Sequence, residues 1–436
     1  MFFIDFLQNN RLKRGIMKRV GIWGFGIVGR SAVNYFLSKN YIVSVYDFQK
    51  LSDENLQFLQ QNNIKHYPTR DLFGFLENNS EIIPSPGIDL QQYKKYFNKF
   101  SFELDIFQKN NKKFCIGLTG SVGKTTIINT LSDIMKSIGI KVWTGGNIGT
   151  GMLDFLAVQN EYDLCLLELS SFQLEHCKTF APNISIITNI YENHLDRHKT
   201  LKNYKQAKMN ICKQQTKKHY ALLPHQLIDE KNNLKSSVAF FSNDEKVNEK
   251  FAWLLNHTFK KNVILIQNFF NLLKKALPKF ESKVDSIKPI ALTGLPHRLQ
   301  FIKTINGIDF YNDSKSTTTA STLAAIEKLK ERPILLILGG LSKGIDRKPF
   351  IKQLKNKVKK VYIFGKEKKQ LQKFCDKHNV FAESFDCLEN IINQCLLEGE
   401  KNDQVLFSPS GSSFDLFKDY EKRGQFFIQL IINSEK

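Results

Sequence analysis

The sequence predicts an α/β protein of three domains, each built on a largely parallel sheet. Short continuous apolar runs of strand length recur between helical segments, the signature of strands covered on both faces. Two glycine-rich turns, Gly24–Gly29 and Gly120–Thr126, each sit between such a run and a helix. A basic polar break at 109–113 and a Leu295-Pro296-His297 step divide the alternation into three stretches. At 436 residues and 42% hydrophobic content, the chain is long enough for several cores.

The first stretch opens as strand, turn, helix, strand over 19–23, 24–29, 31–39 and 41–47, a βαβ unit. Its glycine spacing, Gly24-Phe-Gly-Ile-Val-Gly29 with Asp47 ending the next strand, gives a Rossmann-like N-terminal domain over 17–108. Between 51 and 108 the alternation is less clear, with Pro84, Pro86 and Gly87 marking a turn. The central domain, 109–296, starts with a strand at 114–118, followed by a phosphate loop and a helix at 125–138. Strands are expected at 141–143, 162–167 and 184–188 and a helix at 203–213, which makes the domain P-loop ATPase-like. Residues 214–262 are basic and show no clear period. The C-terminal domain, 297–436, is expected to be Rossmann-like, with buried strands at 334–338, 360–364 and 404–407. Residues 1–16 read as an extension preceding the first strand.

Composition excludes several classes. No apolar run approaches the roughly 18 residues that span a bilayer, so no membrane role is expected. Basic residues follow the apolar opening instead of preceding it, the reverse of a secretory signal, and a cytoplasmic location is expected. Seven scattered cysteines, an odd number with no CxxC pair, indicate neither a disulfide framework nor a zinc site. The net charge of +21 is spread along the whole chain, so nucleic acid is not expected as a partner, although a basic nucleotide-binding protein acting on nucleic acid is the reading from a different class.

The phosphate loop Gly120-Ser-Val-Gly-Lys-Thr-Thr126 carries the strongest chemistry. Small residues let backbone N–H groups approach phosphate oxygens at a helix N-terminus. Gly120, Ser121, Gly123, Lys124, Thr125 and Thr126 are therefore assigned to ATP, with the Lys124 ammonium on the β- and γ-phosphates and the Thr125 hydroxyl on Mg2+. Leu118 stands where the strict spacing asks for glycine. Glu168, at the carboxyl end of a buried strand beside that loop, is placed as a Mg2+ ligand. Loops at 313–317, 339–346 and 408–413 each follow an apolar strand and combine small residues, hydroxyls and charge, which suits anions. Lys208, on its helix, has no role that composition alone assigns. The Gly24–Gly29 turn fits a dehydrogenase equally, but the ATP loop already supplies chemistry.

In this order, these segments resemble the Mur ligases, ATP-dependent enzymes of peptidoglycan precursor synthesis, and within them the branch that adds D-glutamate. Blocks such as Gly145–Gly149, Glu168–Glu175, Gly294–Arg298 and Ser412–Lys418 carry the resemblance. It implies an acid–amino acid ligase, expected to act as a monomer, that activates UDP-N-acetylmuramoyl-L-alanine as an acyl phosphate and transfers it to D-glutamate. Lys124, Glu168, His194 and Lys208 would be catalytic, and Thr125, Glu168, His194 and Lys208 would position two Mg2+ ions, with Lys208 carbamylated. ATP would further meet Asn268, Asn271, His297, Arg298, Asp313 and Lys315. The UDP-substrate would meet Gly26, Ile27, Val28, Asp47, Asn147, Ser170 and Gln173. D-glutamate would meet Thr317, Lys343, Ser413, Phe414 and Tyr420.

Some positions depart from that family's pattern. Val122 stands in place of a polar residue, Val28 in place of a hydroxyl, Asn193 in place of aspartate and Thr318 in place of asparagine, while Phe48-Gln49 replaces a Thr-Arg pair. The neighbouring alternatives are another Mur ligase or a folylpolyglutamate synthase-like amide ligase. The diaminopimelate-adding branch is disfavoured because no Asp-Asn-Pro-Arg block occurs in the third domain.

Overall fold

The structure is a computed structural model and describes residues 18–434; the opening extension at 1–16 lies outside the described residues. Three sheets lie in two compact units. One unit runs to Thr188 and adds Gln206–Leu254 and Lys260–Ile290; the other holds Asn189–Lys205, Leu255–Phe259 and Ala291–Lys436.

In the first unit, β1 (Arg19–Trp23), β2 (Ile42–Tyr46), β3 (Lys65–Tyr67) and β4 (Glu81–Pro84) form a parallel sheet in the order β3-β2-β1-β4. Its core is aromatic, with Trp23, Tyr46, Tyr67 and Phe75 all buried. The order reverses at β1, so the turn after β1 opens at the switch point where such sheets receive ligands.

The second sheet comprises β5 (Phe114–Thr119), β6 (Val142–Gly146), β7 (Leu164–Glu168), β8 (Ile184–Ile187), β9 (Tyr220–Pro224) and β10 (Ser237–Phe241), all parallel, ordered β10-β9-β8-β5-β7-β6. β5 is flanked by β7 and β8, so the loop after β5 emerges between the ends of two buried strands. The stretch without a clear period, 214–262, contributes β9, β10 and the start of the helix Lys260–Ala276. β10, Ser-Val-Ala-Phe-Phe, is an edge strand with only Phe241 fully buried, and five residues are too few to set a period of their own. β9 is buried through pairing with β8.

In the second unit, β11 (Gln300–Ile305) and β12 (Ile308–Asn312) form an antiparallel hairpin. Asn306 and Gly307 both have positive φ, 52° and 80°, as a two-residue hairpin turn of matching twist requires. The sheet continues through β13 (Ile334–Leu338), β14 (Lys360–Ile363), β15 (Ala382–Ser384) and β16 (Gln404–Phe407), in the order β11-β12-β16-β13-β14-β15. All pairings beyond the hairpin are parallel. The expected Rossmann-like domain therefore carries an antiparallel edge, and apolar clusters cover both faces of its sheet.

Candidate active site

Gly120 has φ 149° and Gly123 φ 87°, conformations that favour glycine. A Cβ on Gly120 would collide with the Thr188 hydroxyl, which itself donates to the Val122 carbonyl at 2.8 Å. The helix Lys124–Ser137 starts directly after Gly123, aiming its first N–H groups into the loop. Lys124 Nζ donates to the carbonyls of Gly120 at 2.9 Å and Ser121 at 3.3 Å, so the ammonium lies along the loop.

Glu168 ends β7 and is 2% exposed. Its Oε2 accepts from Thr125 Oγ1 at 2.8 Å and its Oε1 from Asn147 Nδ2 at 3.1 Å. Three residues named from sequence thus meet in one cluster, with Glu168 and Thr125 buried and Asn147 at its exposed edge. The set fits Mg2+, a hard cation usually held by one or two carboxylates together with substrate phosphates. Among the described residues, no group of three or more His, Cys, Asp or Glu forms a cage by itself.

Lys208 lies on the helix Leu201–Lys213 and is 1% exposed. Its Nζ donates to Thr119 Oγ1 at 3.2 Å, and the Thr119 hydroxyl in turn donates to the Leu169 carbonyl at 2.7 Å. Burial pushes the Lys208 ammonium well below its ordinary pKa; the Lys124 charge pushes the same way and Glu168 opposes. A solvated helix lysine this is not. His194 belongs to the second unit, where it takes φ 54° before the short helix Leu195–His198 and its N–H donates to Asn193 Oδ1 at 3.0 Å.

Around the β1 turn, Asp47 Oδ2 accepts from Phe25 N at 2.7 Å and Oδ1 from Gln49 N at 2.8 Å. Gly26 caps the helix Ile27–Ser38, Ile27 is exposed and Val28 half-buried. Gly29 has to be glycine because a Cβ there would meet the Gly24 carbonyl oxygen. Ser170 and Gln173 form a reciprocal capping box on the helix Ser171–Glu175. Behind them, the Gln173 amide reaches Glu103 Oε2 at 3.5 Å. Sequence reading missed Glu103, which is 5% exposed.

The helix Lys260–Ala276 separates the two asparagines assigned to ATP from the loop. Asn268 Nδ2 is held by Glu245 Oε2 at 2.8 Å and by the Ile264 carbonyl at 2.9 Å, and Asn271 is exposed. Asn262, in the first turn, brings its Oδ1 to 3.6 Å from the position of a Cβ on Gly123. Six residues advance a helix by about 9 Å and turn it by about 240°, so Asn262 and Asn268 do not share a face. A polar side chain in the first turn of a long amphipathic helix was the signal available.

In the second unit, Asp313 follows β12 and is 6% exposed; Oδ2 accepts from Ser408 Oγ at 2.8 Å and Oδ1 from Leu299 N at 3.1 Å. Burial pushes its carboxyl up to about 6. His297, with φ 62°, shares a 2.9 Å hydrogen bond between its Nδ1 and Asn312 Nδ2, and burial lowers its pKa. Arg298 follows His297 directly and is half-buried. Lys315 Nζ sits 4.7 Å over the Tyr420 ring. Lys343 Nζ donates to Thr317 Oγ1 at 3.3 Å, joining two residues assigned to the amino acid. Ser413 is buried and its neighbour Phe414 is 72% exposed.

Residues 18–95 match the MurD-like N-terminal domain of Mur ligases, 118–277 the Mur ligase middle domain and 297–411 the Mur ligase glutamate ligase domain. The UDP-N-acetylmuramoylalanine--D-glutamate ligase of Caldanaerobacter subterraneus subsp. tengcongensis is 32% identical, with 95% of this chain and 98% of that protein covered. The enzyme of that name from Clostridium perfringens is also 32% identical, covering 98% and 99%. The MurF ligase of Thermotoga maritima, solved with ADP, shares the fold at TM-score 0.57 and 16% identity, with 97% of each chain covered. Matched in all three domains and along nearly the full length of its relatives, the chain belongs to the Mur ligase family, on the branch of the UDP-N-acetylmuramoylalanine--D-glutamate ligases.

Proposed function

We propose that this chain joins D-glutamate to UDP-N-acetylmuramoyl-L-alanine at the expense of ATP, acting as a monomer in the cytoplasm. The observation that carries the reading is the cluster in which Glu168 takes hydrogen bonds from Thr125 and Asn147 beside the Lys124 loop. Seven cysteines that are all free thiols suit a reducing compartment. On this reading the domains run 17–108 for the UDP end, 109–296 for ATP and 297–436 for the amino acid.

A carboxylate oxygen of the alanine attacks the γ-phosphorus, and ADP departs with the electron pair of the broken P–O bond. Lys124 lies where its charge offsets the anions brought together, and Arg298 is assigned the same task. The D-glutamate amine then adds to the acyl phosphate carbonyl, loses a proton, and phosphate leaves. Thr125 and Glu168 would hold Mg2+, with His194 assigned to a second ion; bound Mg2+ supplies charge neutralisation at the phosphates. Lys208 is assigned a carbamate: its amine adds to CO2 and sheds a proton, turning a buried cation into an anion suited to a metal. Its near-complete burial supports that assignment, since a carbamate on a metal removes the cost of holding an ammonium out of water. Asn262 takes the nucleotide role in place of Asn268 and Asn271. His297, Asp313 and Lys315 remain assigned to ATP, and Thr317, Lys343, Ser413, Phe414 and Tyr420 to D-glutamate. Gly26, Ile27, Val28, Asp47, Asn147, Ser170 and Gln173 remain assigned to the UDP-substrate.

The test is phosphate release from ATP with UDP-N-acetylmuramoyl-L-alanine as acceptor while the amino acid is varied. D-glutamate is expected to drive release. Equal release with L-lysine or diaminopimelate would refute the substrate assignment.

A further inference from the structure

The turn after β13, Gly339-Gly-Leu-Ser-Lys-Gly344, carries Lys343 and is held from beneath by one side chain. Arg347 is 2% exposed. Its Nη1 donates to the Gly339 carbonyl at 3.3 Å and its Nη2 to the Gly340 carbonyl at 3.1 Å. On the carboxylate side, Nη1 lies 3.8 Å from Glu367 Oε2, while Glu367 Oε1 accepts from Ser342 N at 3.0 Å and Ser342 Oγ at 3.1 Å. One guanidinium and its carboxylate thus hold Gly339, Gly340 and Ser342, leaving Lys343 as the next residue out.

The same group fixes the neighbouring loop. Leu341 and Ser412 exchange two backbone hydrogen bonds, at 3.0 and 2.9 Å, which zip the 339–344 turn to the Ser408–Ser413 loop. Gly411 lies against the guanidinium so closely that a Cβ there would collide with Arg347 Nη2. Gly340 has φ 67° and Lys343 φ 56°; for a lysine that conformation is held only where the surroundings enforce it. Held so, Lys343 Nζ reaches Thr317 Oγ1.

We infer that Arg347 is a positioning residue for amino-acid selection, its guanidinium setting the 339–344 turn so that Lys343 meets the incoming amino acid at a fixed place. The inference rests on the proposed assignment of these loops to the amino acid. A lysine could not substitute, because a single ammonium lacks the planar fork that serves two carbonyls and a carboxylate together. Without the fork, two inward-facing carbonyls lose their donors and the positive-φ turn loses its support.

The experiment measures KM for ATP, for UDP-N-acetylmuramoyl-L-alanine and for D-glutamate in the parent, Arg347→Met, Arg347→Lys and Glu367→Gln, with thermal unfolding of each. Arg347→Met and Arg347→Lys are expected to raise KM for D-glutamate by roughly 10- to 100-fold, with the other two KM values within about twofold. Glu367→Gln, which keeps an acceptor for Ser342 but removes the charge, should raise the same KM by about threefold or more. If the Arg347 variants do not fold, Glu367→Gln decides alone. An unchanged KM for D-glutamate in a folded variant, or an equal rise in all three, overturns the inference while the proposed reaction stands. A parent that depends on a different amino acid overturns the D-glutamate assignment alone, and the KM shift is then read with that amino acid. A parent whose phosphate release depends on no amino acid overturns both.

Discussion

Glu103 is a carboxyl kept out of water, and replacing it by glutamine isolates what that costs. It opens the helix Glu103–Asn110, beside Phe102 and Gln173, and its Oε1 finds no hydrogen-bond partner among the described residues. Burial pushes its pKa up to about 8; Asp154 adds to the rise, while Gln173 and the Met152 backbone oppose it. The folded pKa lies above the unfolded one, so the folded state holds its proton more tightly. The stability this represents is complete below about pH 4.5 and is lost as pH rises through about 8. One pKa unit corresponds to about 1.4 kcal/mol, so the whole shift represents roughly 5 kcal/mol, of which roughly 2 to 3 kcal/mol falls between pH 6 and 9. Glutamine has the same shape without the titration. The unfolding midpoint of Glu103→Gln relative to the parent is therefore expected to rise by roughly 2–5 °C from pH 6 to pH 9. Scanning calorimetry of both proteins across that range measures the difference. A gap that stays constant with pH would refute the claim that Glu103 is held neutral by burial.

Two further outcomes test the nucleotide end. Asn262→Ala should raise KM for ATP by about 5- to 30-fold, the loss of one hydrogen bond, while Asn268→Ala should change it by less than about twofold. The reverse order would restore Asn268 to the site. Glu168→Gln should raise the Mg2+ concentration for half-maximal phosphate release by about tenfold or more, as a buried carboxylate is lost from the Thr125 and Asn147 cluster. A Mg2+ titration curve superimposing on the parent's would remove Glu168 from the metal site.

The sequence by itself determined the three α/β stretches and the loop that grips phosphate. Parallel strands covered on both faces must be continuous apolar runs, as in Leu164–Glu168 and Ile334–Leu338, and a backbone at φ 149° beside Thr188 demands a glycine. Such demands are local, and a local demand is written in the chain. The edge strand Ser237–Phe241 was not legible, because only its pairing partner makes it a strand. Lys208, Glu103 and Arg347 look like surface charges, since nothing in their neighbours states that water is excluded from them. Asn262 and Asn268 differ only in the phase of one helix, and that phase is set by which side packs on the sheet. Burial and helix phase come from contacts between residues far apart in the chain, which is why the tertiary structure alone decided them.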